Sequence, residues 1–305
     1  MINLEEIRKI VKGKILINEL LAKYSTFKIG GPADLYIEPK DVDELLRLIR
    51  YLKEKDIDFV ILGNGSNVLI SDAGFRGAVI NLEAGLNFIR VEGECVIAGA
   101  GVKLAKFVDF CIENCFRGVE MLAGIPGTLG GAIVMNAGAY SGEISDYLID
   151  VDVIRNLELI RLNKEDCGFG YRTSGLTKDV IVQARFKFPY GDVNEMRRVR
   201  REILIKRNQT QPVNFPNAGS IFKNPPGNYA GKLIEEAGLK GVQIGDAQIS
   251  EKHANFIINK GNATASDVLE LIKLIQDKVY EKFGIKLELE VRLIGFKEEE
   301  IQNLV

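Results

Sequence analysis

Histidine is almost missing from this chain of 305 residues: His253 stands alone. One imidazole cannot furnish a His-rich zinc centre, a relay of paired histidines or, without close partners, a hydrolytic triad. If the chain is an enzyme, other side chains or a cofactor do the work. Cysteine is scarce too. Cys95, Cys111, Cys115 and Cys167 form no CxxC pair, so they read as small buried thiols and no metal site is expected. No apolar run approaches the ~20 residues of a membrane helix. The opening MINLEEIRKIVKGK carries charge where a secretory signal would be apolar. The expected location is therefore the cytoplasm, where Asn208-Gln-Thr210 and Asn262-Ala-Thr264 have no meaning as glycosylation patterns. An excess of one charge is also lacking. With Lys+Arg 40 and Asp+Glu 42 the net charge is −2, so no global field recruits nucleic acid.

What is present is an ordinary globular composition, 46% apolar and 27% charged, with one bias. Glycine numbers 31, and fifteen of these lie between Gly63 and Gly142. The length suits roughly two domains of ~150 residues. A short helix opens the chain, and Asp41 followed by Glu44 starts a helix running to Lys55. A strand follows at 58–62. The glycine block alternates with short β-like runs (GAVINL, FIRVEG, CVIAGAG) and one helix near 103–114, whose face is Leu104, Phe107, Val108 and Cys111. Strands are predicted at 148–155, 157–163 and 179–188. A basic helix at 192–209 follows, then helices at 229–237 and 266–283, a strand at ANFIINK, and an alternating terminal strand KLELEVRLIGF. The composition shifts near 190–195, with an α/β module on each side.

Several segments could carry chemistry. Leu62-Gly-Asn-Gly-Ser-Asn-Val-Leu69 follows a strand, and its glycines let backbone N–H groups approach an anion. The third glycine of a dinucleotide fingerprint is replaced by Val68, so this is either a tight hairpin or a phosphate cradle of another kind. In Gly124-Ile-Pro-Gly-Thr-Leu-Gly-Gly-Ala-Ile-Val-Met-Asn-Ala-Gly138 the buried amides need partners, from a bound diphosphate or from dense backbone packing. Pro226-Gly-Asn-Tyr-Ala-Gly-Lys-Leu233 falls one residue short of a P-loop and lacks Ser or Thr after Lys232, which excludes a triphosphate site of that type. The basic helix is either a solvated face or ends, at Lys206 and Arg207, on an anionic substrate. The alternation of Leu287, Leu289, Val291 and Leu293 puts Glu288, Glu290 and Arg292 on the opposite face. The motif containing Arg172 offers a guanidinium suited to a carboxylate. Ala218-Gly-Ser-Ile-Phe-Lys-Asn-Pro225 sets Ser220, Lys223 and Asn224 at a loop-to-strand junction.

In their order and joint presence these motifs (GNGSNVL, GIPGTLGGAIVMNAGAY, YRTS, AGSIFKNP, EKHANFI, LEVRLIG) resemble the UDP-N-acetylenolpyruvoylglucosamine reductase family. The resemblance runs from Tyr24-Ser-Thr-Phe-Lys-Ile-Gly-Gly-Pro-Ala-Asp34 to Gly295. It implies an α+β fold built of α/β modules. A flavin-binding module of the vanillyl-alcohol-oxidase/PCMH type in two subdomains, 1–62 and 63–192, precedes a substrate-binding domain at 193–296 and a solvated tail at 297–305. The compact region between Ser220 and Glu290 is similar to the shorter family type, without a tyrosine-bearing insertion. The implied cofactors are FAD and NADPH. The implied partner is a small-molecule nucleotide sugar, with no nucleic acid, membrane or protein partner. Arg172, Ser220 and Glu290 are the implied catalytic residues. Ser220 would protonate C2 of the enol ether, while Arg172 and a protonated Glu290 stabilise charge at the carboxylate. FAD would be held by Gly63, Asn64, Gly65, Ser66 and Asn67, by Gly124, Ile125, Pro126, Gly127, Thr128, Gly130 and Gly131, and by Asn136. Tyr171, Arg207, Lys223 and Asn224 are the substrate-binding candidates. Two other readings remain: an FAD-dependent oxidase of the same fold, and a nucleotide-sugar binding module without turnover. Such oxidases often tether their flavin through His or Cys, and the one histidine lies in the expected substrate domain.

Overall fold

The structure is a computed structural model, and it describes residues 3–140, 142–302 and 304. Three strands, Lys14–Leu20, Pro32–Glu38 and Phe75–Ile80, each run out of one compact unit and into another. The chain therefore passes repeatedly between the two. Unit 1 comprises Met1–Ile17, Leu35–Asn64 and Gly77–Lys206; unit 2 comprises Asn18–Asp34, Gly65–Arg76 and Arg207–Val305. Each has its own apolar core.

Unit 1 begins with helix formation that the sequence dictates locally. Asp41 accepts the N–H of Glu44 at 2.8 Å and caps the helix Val42–Glu54. The reciprocal half of a capping box is absent, because Glu44 turns inward. Its fully buried carboxylate accepts the N–H groups of Lys12 and Lys40, both at 3.0 Å. Leu45, Leu48, Ile49 and Leu52 form the helix's buried stripe. The helix links Pro32–Glu38 to the strand Phe59–Ile61, which pairs in parallel with Ala78, Val79 and Ile80. A five-stranded antiparallel sheet follows, in the order Glu158–Asn163, Leu148–Arg155, Val180–Lys187, Cys95–Gly99, Ile89–Glu92. The helix Leu104–Glu113 buries Leu104, Phe107, Val108 and Cys111, the face its spacing predicts. Of the four cysteines only Cys111 and Cys167 are buried, whereas Cys95 and Cys115 are half-buried. Burial raises the Cys111 thiol and pushes Cys167 up to about 11, which keeps both protonated.

Unit 2 is organised around the helix Ala265–Phe283. Its start is closed twice: Thr264 and Asp267 form a capping box, and the Asp72 carboxylate accepts the N–H groups of Ala265 (2.8 Å) and Ser266 (3.0 Å). Val268, Leu271, Ile272, Ile275 and Val279 fill the core against the helix Ala230–Glu236 and the antiparallel sheet Gln243–Ile244, Ala247–Ile249, Ile257–Asn259. The basic helix, Val193–Thr210, starts in unit 1 and ends in unit 2.

Two strand expectations shorten. ANFIINK is a strand only at Ile257–Asn259, because His253 to Phe256 form a turn closed by the Phe256 N–H on the His253 carbonyl at 3.0 Å. KLELEVRLIGF is a strand only at Arg292–Ile294, which pairs in parallel with Val68–Ile70. Before it, Leu289 makes a single bridge to Phe222, so the segment changes partner midway. The burial alternation survives in part: Leu287 and Val291 are buried, while Leu289 and Leu293 are half-buried. In the expected solvated tail Lys297 to Glu300 and Gln302 are exposed, and one residue departs from that reading. Glu298–Ile301 is a short helix, Leu304 is 5% exposed, and the Gln276 amide donates to its carbonyl.

Candidate active site

In unit 1 the glycine-rich segments are shaped by a few buried side chains. Asn81, 5% exposed, donates to the carbonyls of Leu62 (2.9 Å) and Gly63 (3.3 Å). A trans peptide points its N–H opposite its C=O, so the N–H groups of Gly63 and Asn64 face away from Asn81. The hairpin alternative fails. The strand before the loop, Phe59–Ile61, pairs with 78–80, and the strand after it, Val68–Ile70, pairs with 292–294. Gly63 is required by close approach: a Cβ there would lie 2.3 Å from the Thr128 Oγ1. Thr128 caps the helix Leu129–Val134 by accepting the Gly131 N–H.

The second glycine segment meets part of its own need. Leu129 and Gly130 donate to the carbonyls of Val102 (2.8 Å) and Ala100 (2.9 Å), and the Gly127 carbonyl accepts the Leu104 N–H at 3.0 Å. The dense-packing alternative thus accounts for Leu129 and Gly130. Asn136 is different. It is 1% exposed, its Nδ2 donates to Glu143 Oε2 (2.6 Å) and to the Gly170 carbonyl (3.1 Å), and its Oδ1 has no hydrogen-bond partner. A buried acceptor in that state fits a ligand that brings an N–H or O–H. Together with the turned-out amides of Gly63 and Asn64, it makes the unit compatible with a flavin dinucleotide.

Arg172 also lies in unit 1, in the left-handed region with φ 55. Its Nη2 donates to the Gly138 carbonyl at 2.7 Å, and its guanidinium carbon lies 5.0 Å from the centre of the half-exposed Tyr171 ring. Ile125 and Pro126 occupy the link before Thr128.

In unit 2 Ser220 precedes a segment held on both edges. On one edge the Ile221 N–H donates to the Asn255 carbonyl (2.9 Å). The Asn255 amide also exchanges two hydrogen bonds with the Phe222 main chain, at 3.0 and 2.8 Å. On the other edge the Glu290 N–H donates to the Ile221 carbonyl (2.8 Å) and the Lys223 N–H to the Glu288 carbonyl (2.9 Å). The Glu290 carbonyl in turn accepts the Asn67 side-chain amide at 3.1 Å, and the Asn67 carbonyl accepts the Arg292 N–H. The ladder pairs Phe222 with Leu289 and puts Ile221, the residue after Ser220, against Glu290. Gly65 lies in the same unit at φ +59, where a Cβ would meet the Tyr24 carbonyl oxygen. Ser66 lies beside it, its carbonyl 3.8 Å from where a Gly219 Cβ would stand.

Ser220 and Asn224 line a cavity of about 380 Å³ with Tyr229, Gly231, Lys232, Glu235, Lys252, His253, Ala254 and Asn255. Asn224 also accepts the N–H of Ala230 at 3.0 Å, fixing the start of the helix Ala230–Glu236. The other candidates of this unit, Glu290, Lys223 and Arg207 as well as Gly65, Ser66 and Asn67, are not lining residues. Lys223 reaches Glu288 at 3.5 Å, and Arg207 donates to Gln211 at 3.0 Å. Sequence reasoning missed Tyr229 and Lys232, which stand in the segment excluded as a P-loop, and Lys252 and His253, which stand in EKHANFI. His253 accepts the Asn255 N–H on Nδ1 at 3.3 Å. Burial holds the imidazole below its ordinary value, so it is neutral at pH 7. Among the described residues no cluster of three or more His, Cys, Asp or Glu could hold a metal ion, and no helix is long and apolar enough to cross a membrane.

Comparison with known proteins gives this arrangement a class. Residues 33–160 match the profile of an FAD binding domain, and residues 211–294 that of the C-terminal domain of UDP-N-acetylenolpyruvoylglucosamine reductase. Fold and site define a flavin-dependent oxidoreductase of α+β architecture, with a binding module of the vanillyl-alcohol-oxidase type and a C-terminal α/β domain. The UDP-N-acetylenolpyruvoylglucosamine reductase of Caldanaerobacter subterraneus subsp. tengcongensis is 46% identical over 297 residues, 96% of this chain and 98% of that one. The enzyme of that name from Chloroherpeton thalassium is 46% identical over 307 residues, 98% and 99% of the two chains. The crystal structure of the Thermus caldophilus reductase matches with a TM-score of 0.79 at 37% identity, over 93% of this chain and 99% of that one. The chain belongs to the UDP-N-acetylenolpyruvoylglucosamine reductase family.

Proposed function

We propose that the protein is an FAD-containing, NADPH-dependent oxidoreductase. It reduces the enolpyruvyl group of UDP-N-acetyl-3-O-(1-carboxyvinyl)-glucosamine to the lactyl ether, giving UDP-N-acetylmuramate for peptidoglycan synthesis. The observation that carries this is the pairing that sets Ile221, next to Ser220, against Glu290, with Ser220 itself lining a polar cavity. Bound FAD supplies the redox chemistry, accepting hydride from NADPH and passing it to the substrate.

The residues of the chain do the rest. Residues 1–62 and 63–192 serve as the FAD-binding subdomains, through Gly63, Asn64, Gly65, Ser66 and Asn67, through Gly124 to Thr128, Gly130 and Gly131, and through the unpartnered Oδ1 of Asn136. Residues 193–296 bind the nucleotide sugar. Ser220 carries the proton that C2 of the enol ether receives. Arg172 and Glu290 meet the charge that develops at C2 and on the neighbouring carboxylate, where fixed positive charge and hydrogen-bond donors act most strongly. Tyr171, Arg207, Lys223 and Asn224 contact the carboxylate, sugar or diphosphate. The cavity is lined by two lysines, Lys232 and Lys252, against one carboxylate, Glu235, a balance that suits the anionic part of such a substrate. The enzyme works in the cytoplasm on a free small molecule, a reading that needs no nucleic acid, membrane or protein partner.

The test is anaerobic. The purified protein should be yellow, with a band near about 450 nm from oxidised flavin. NADPH should bleach it, and the enolpyruvyl sugar nucleotide should restore the colour without oxygen. Protein that takes up no FAD overturns the reading, and colour restored by oxygen alone makes it an oxidase.

A further inference from the structure

The donor end of Asn136 is committed within unit 1 in a way that cofactor binding does not explain. Its Nδ2 holds Glu143 Oε2 at 2.6 Å and the Gly170 carbonyl at 3.1 Å. Gly170 opens the narrow turn that carries Arg172: Gly170 and Thr173 exchange two main-chain hydrogen bonds, at 3.1 and 3.2 Å. Arg172 sits inside that turn at φ 55. An arginine holds such a backbone conformation only where its surroundings over-determine it. The tip of the side chain is tied as well, by the Nη2 bond to the Gly138 carbonyl at 2.7 Å. Asn136 and Gly138 are two residues apart, so root and tip of Arg172 are anchored to one short segment.

That segment is itself secured. Gly138 pairs with Glu143 across a two-stranded ladder, and the Glu143 N–H donates to the Asp146 carboxylate at 2.8 Å. Both of Asn136's partners are acceptors, a carboxylate and a carbonyl. A primary amide supplies two N–H donors from one atom, whereas aspartate would place a carboxylate against both. The backbone of Asn136, at φ 42, is in the left-handed region that asparagine and glycine tolerate best.

We propose that Asn136 is a positioning residue for Arg172: its amide N–H groups lock the Gly170–Thr173 turn to the Gly138–Glu143 ladder and so aim the guanidinium. The proposal rests on the reading of Arg172 as the group that meets the substrate carboxylate. Asn136→Gly removes the side chain at no backbone strain, and Asn136→Asp keeps its shape while reversing its donors. These two, Arg172→Ala and the double variant Asn136→Gly with Arg172→Ala are compared as FAD-loaded protein in anaerobic half-reactions.

Rates are taken per flavin bound, and the reoxidation of each variant is divided by its own reduction by NADPH, so that any change at the Oδ1 contact with flavin cancels. Reoxidation by the enolpyruvyl sugar nucleotide should slow about tenfold in Asn136→Gly, further in Asn136→Asp, and about 100-fold in Arg172→Ala. The double variant should be no slower than Arg172→Ala alone, because the two residues act as one unit. Independently of turnover, amide hydrogen exchange across residues 170–173 of the FAD-free protein should quicken in Asn136→Gly. Losses that multiply in the double variant overturn the proposal, as does an equal fall in both half-reactions of Asn136→Gly. Wild-type reoxidation in Asn136→Gly beside a slow Arg172→Ala overturns it while leaving the Arg172 reading intact. Wild-type reoxidation in Arg172→Ala overturns that reading, and the proposal with it.

Discussion

The two units prepare their sites with different materials. Unit 1 works with main chain. Asn81 turns the carbonyls of Leu62 and Gly63 inward, and Gly63 lets the loop sit against Thr128. Unit 2 works with side chains. Ser220, Asn224, Lys232, Lys252 and His253 surround a cavity, and their positions depend on ladders and caps made elsewhere in that unit. The contrast teaches where each unit is vulnerable. A backbone cradle tolerates nothing larger than hydrogen at its closest approaches, while a side-chain pocket keeps its shape when one functional group is exchanged.

The sharpest challenge to that contrast is Ser220→Ala. Removing a proton donor should slow reoxidation by substrate roughly 100- to 10,000-fold. Reduction by NADPH and flavin content should stay unchanged in stopped-flow and absorbance measurements. Equal loss in both half-reactions would refute the proton-donor role. Gly63→Ala is the counterpart in unit 1. Thr128 is short, β-branched and 4% exposed, so a Cβ 2.3 Å from its Oγ1 cannot be accommodated by a small swing. Destabilisation of about 1–3 kcal/mol with loss of bound flavin is expected in thermal melts and absorbance ratios. Wild-type flavin content would show that the cradle is not shaped by this contact.

Asp72→Ala probes the scaffold of unit 2 away from the cavity. It strips the acceptor from two N-terminal amides of the helix Ala265–Phe283 and should lower stability by about 1–2 kcal/mol in urea unfolding. Activity per folded molecule should stay constant, and a selective fall would tie this helix end to the chemistry. The smallest effect is expected from His253→Gln. The folded imidazole lies below its ordinary value through burial, so the unfolded chain takes up the proton first. Its contribution is therefore complete above the unfolded value of about 6.5 and is lost as pH falls through the lower folded one. Wild-type protein should lose more stability than the variant between about pH 7.5 and 5.5. Parallel pH profiles would show that His253 is solvated in the folded state.

Much of the architecture is legible without coordinates. The helix Val42–Glu54 stands where its cap residue and apolar spacing predict it, and Leu104–Glu113 and Ala265–Phe283 where apolar spacing does, because both signals act within a few residues. The long strands Leu148–Arg155 and Val180–Lys187 follow from the same kind of local pattern. The order of motifs was enough to indicate the family. Less legible were Lys232, named only in a segment excluded as a P-loop, and Lys252, which no reading singled out, and the terminal segment, whose alternation could not reveal that its partner changes between Leu289 and Arg292.

The scarcity of histidine and the clustering of glycine are properties of the sequence alone. By themselves they left no His-rich metal centre and marked the segments where backbone is least covered by side chains. Tertiary structure alone decided which strands flank the GNGSN loop, that Asn67 supports the Glu290 carbonyl, and that the amide of Asn136 joins the turn of Arg172 to a ladder some thirty residues earlier. The physical reason is range. Propensity, capping and periodicity are short-range and are written in adjacent residues. A hydrogen bond between residues 67 and 290 exists only after folding brings them together, and no local pattern encodes it.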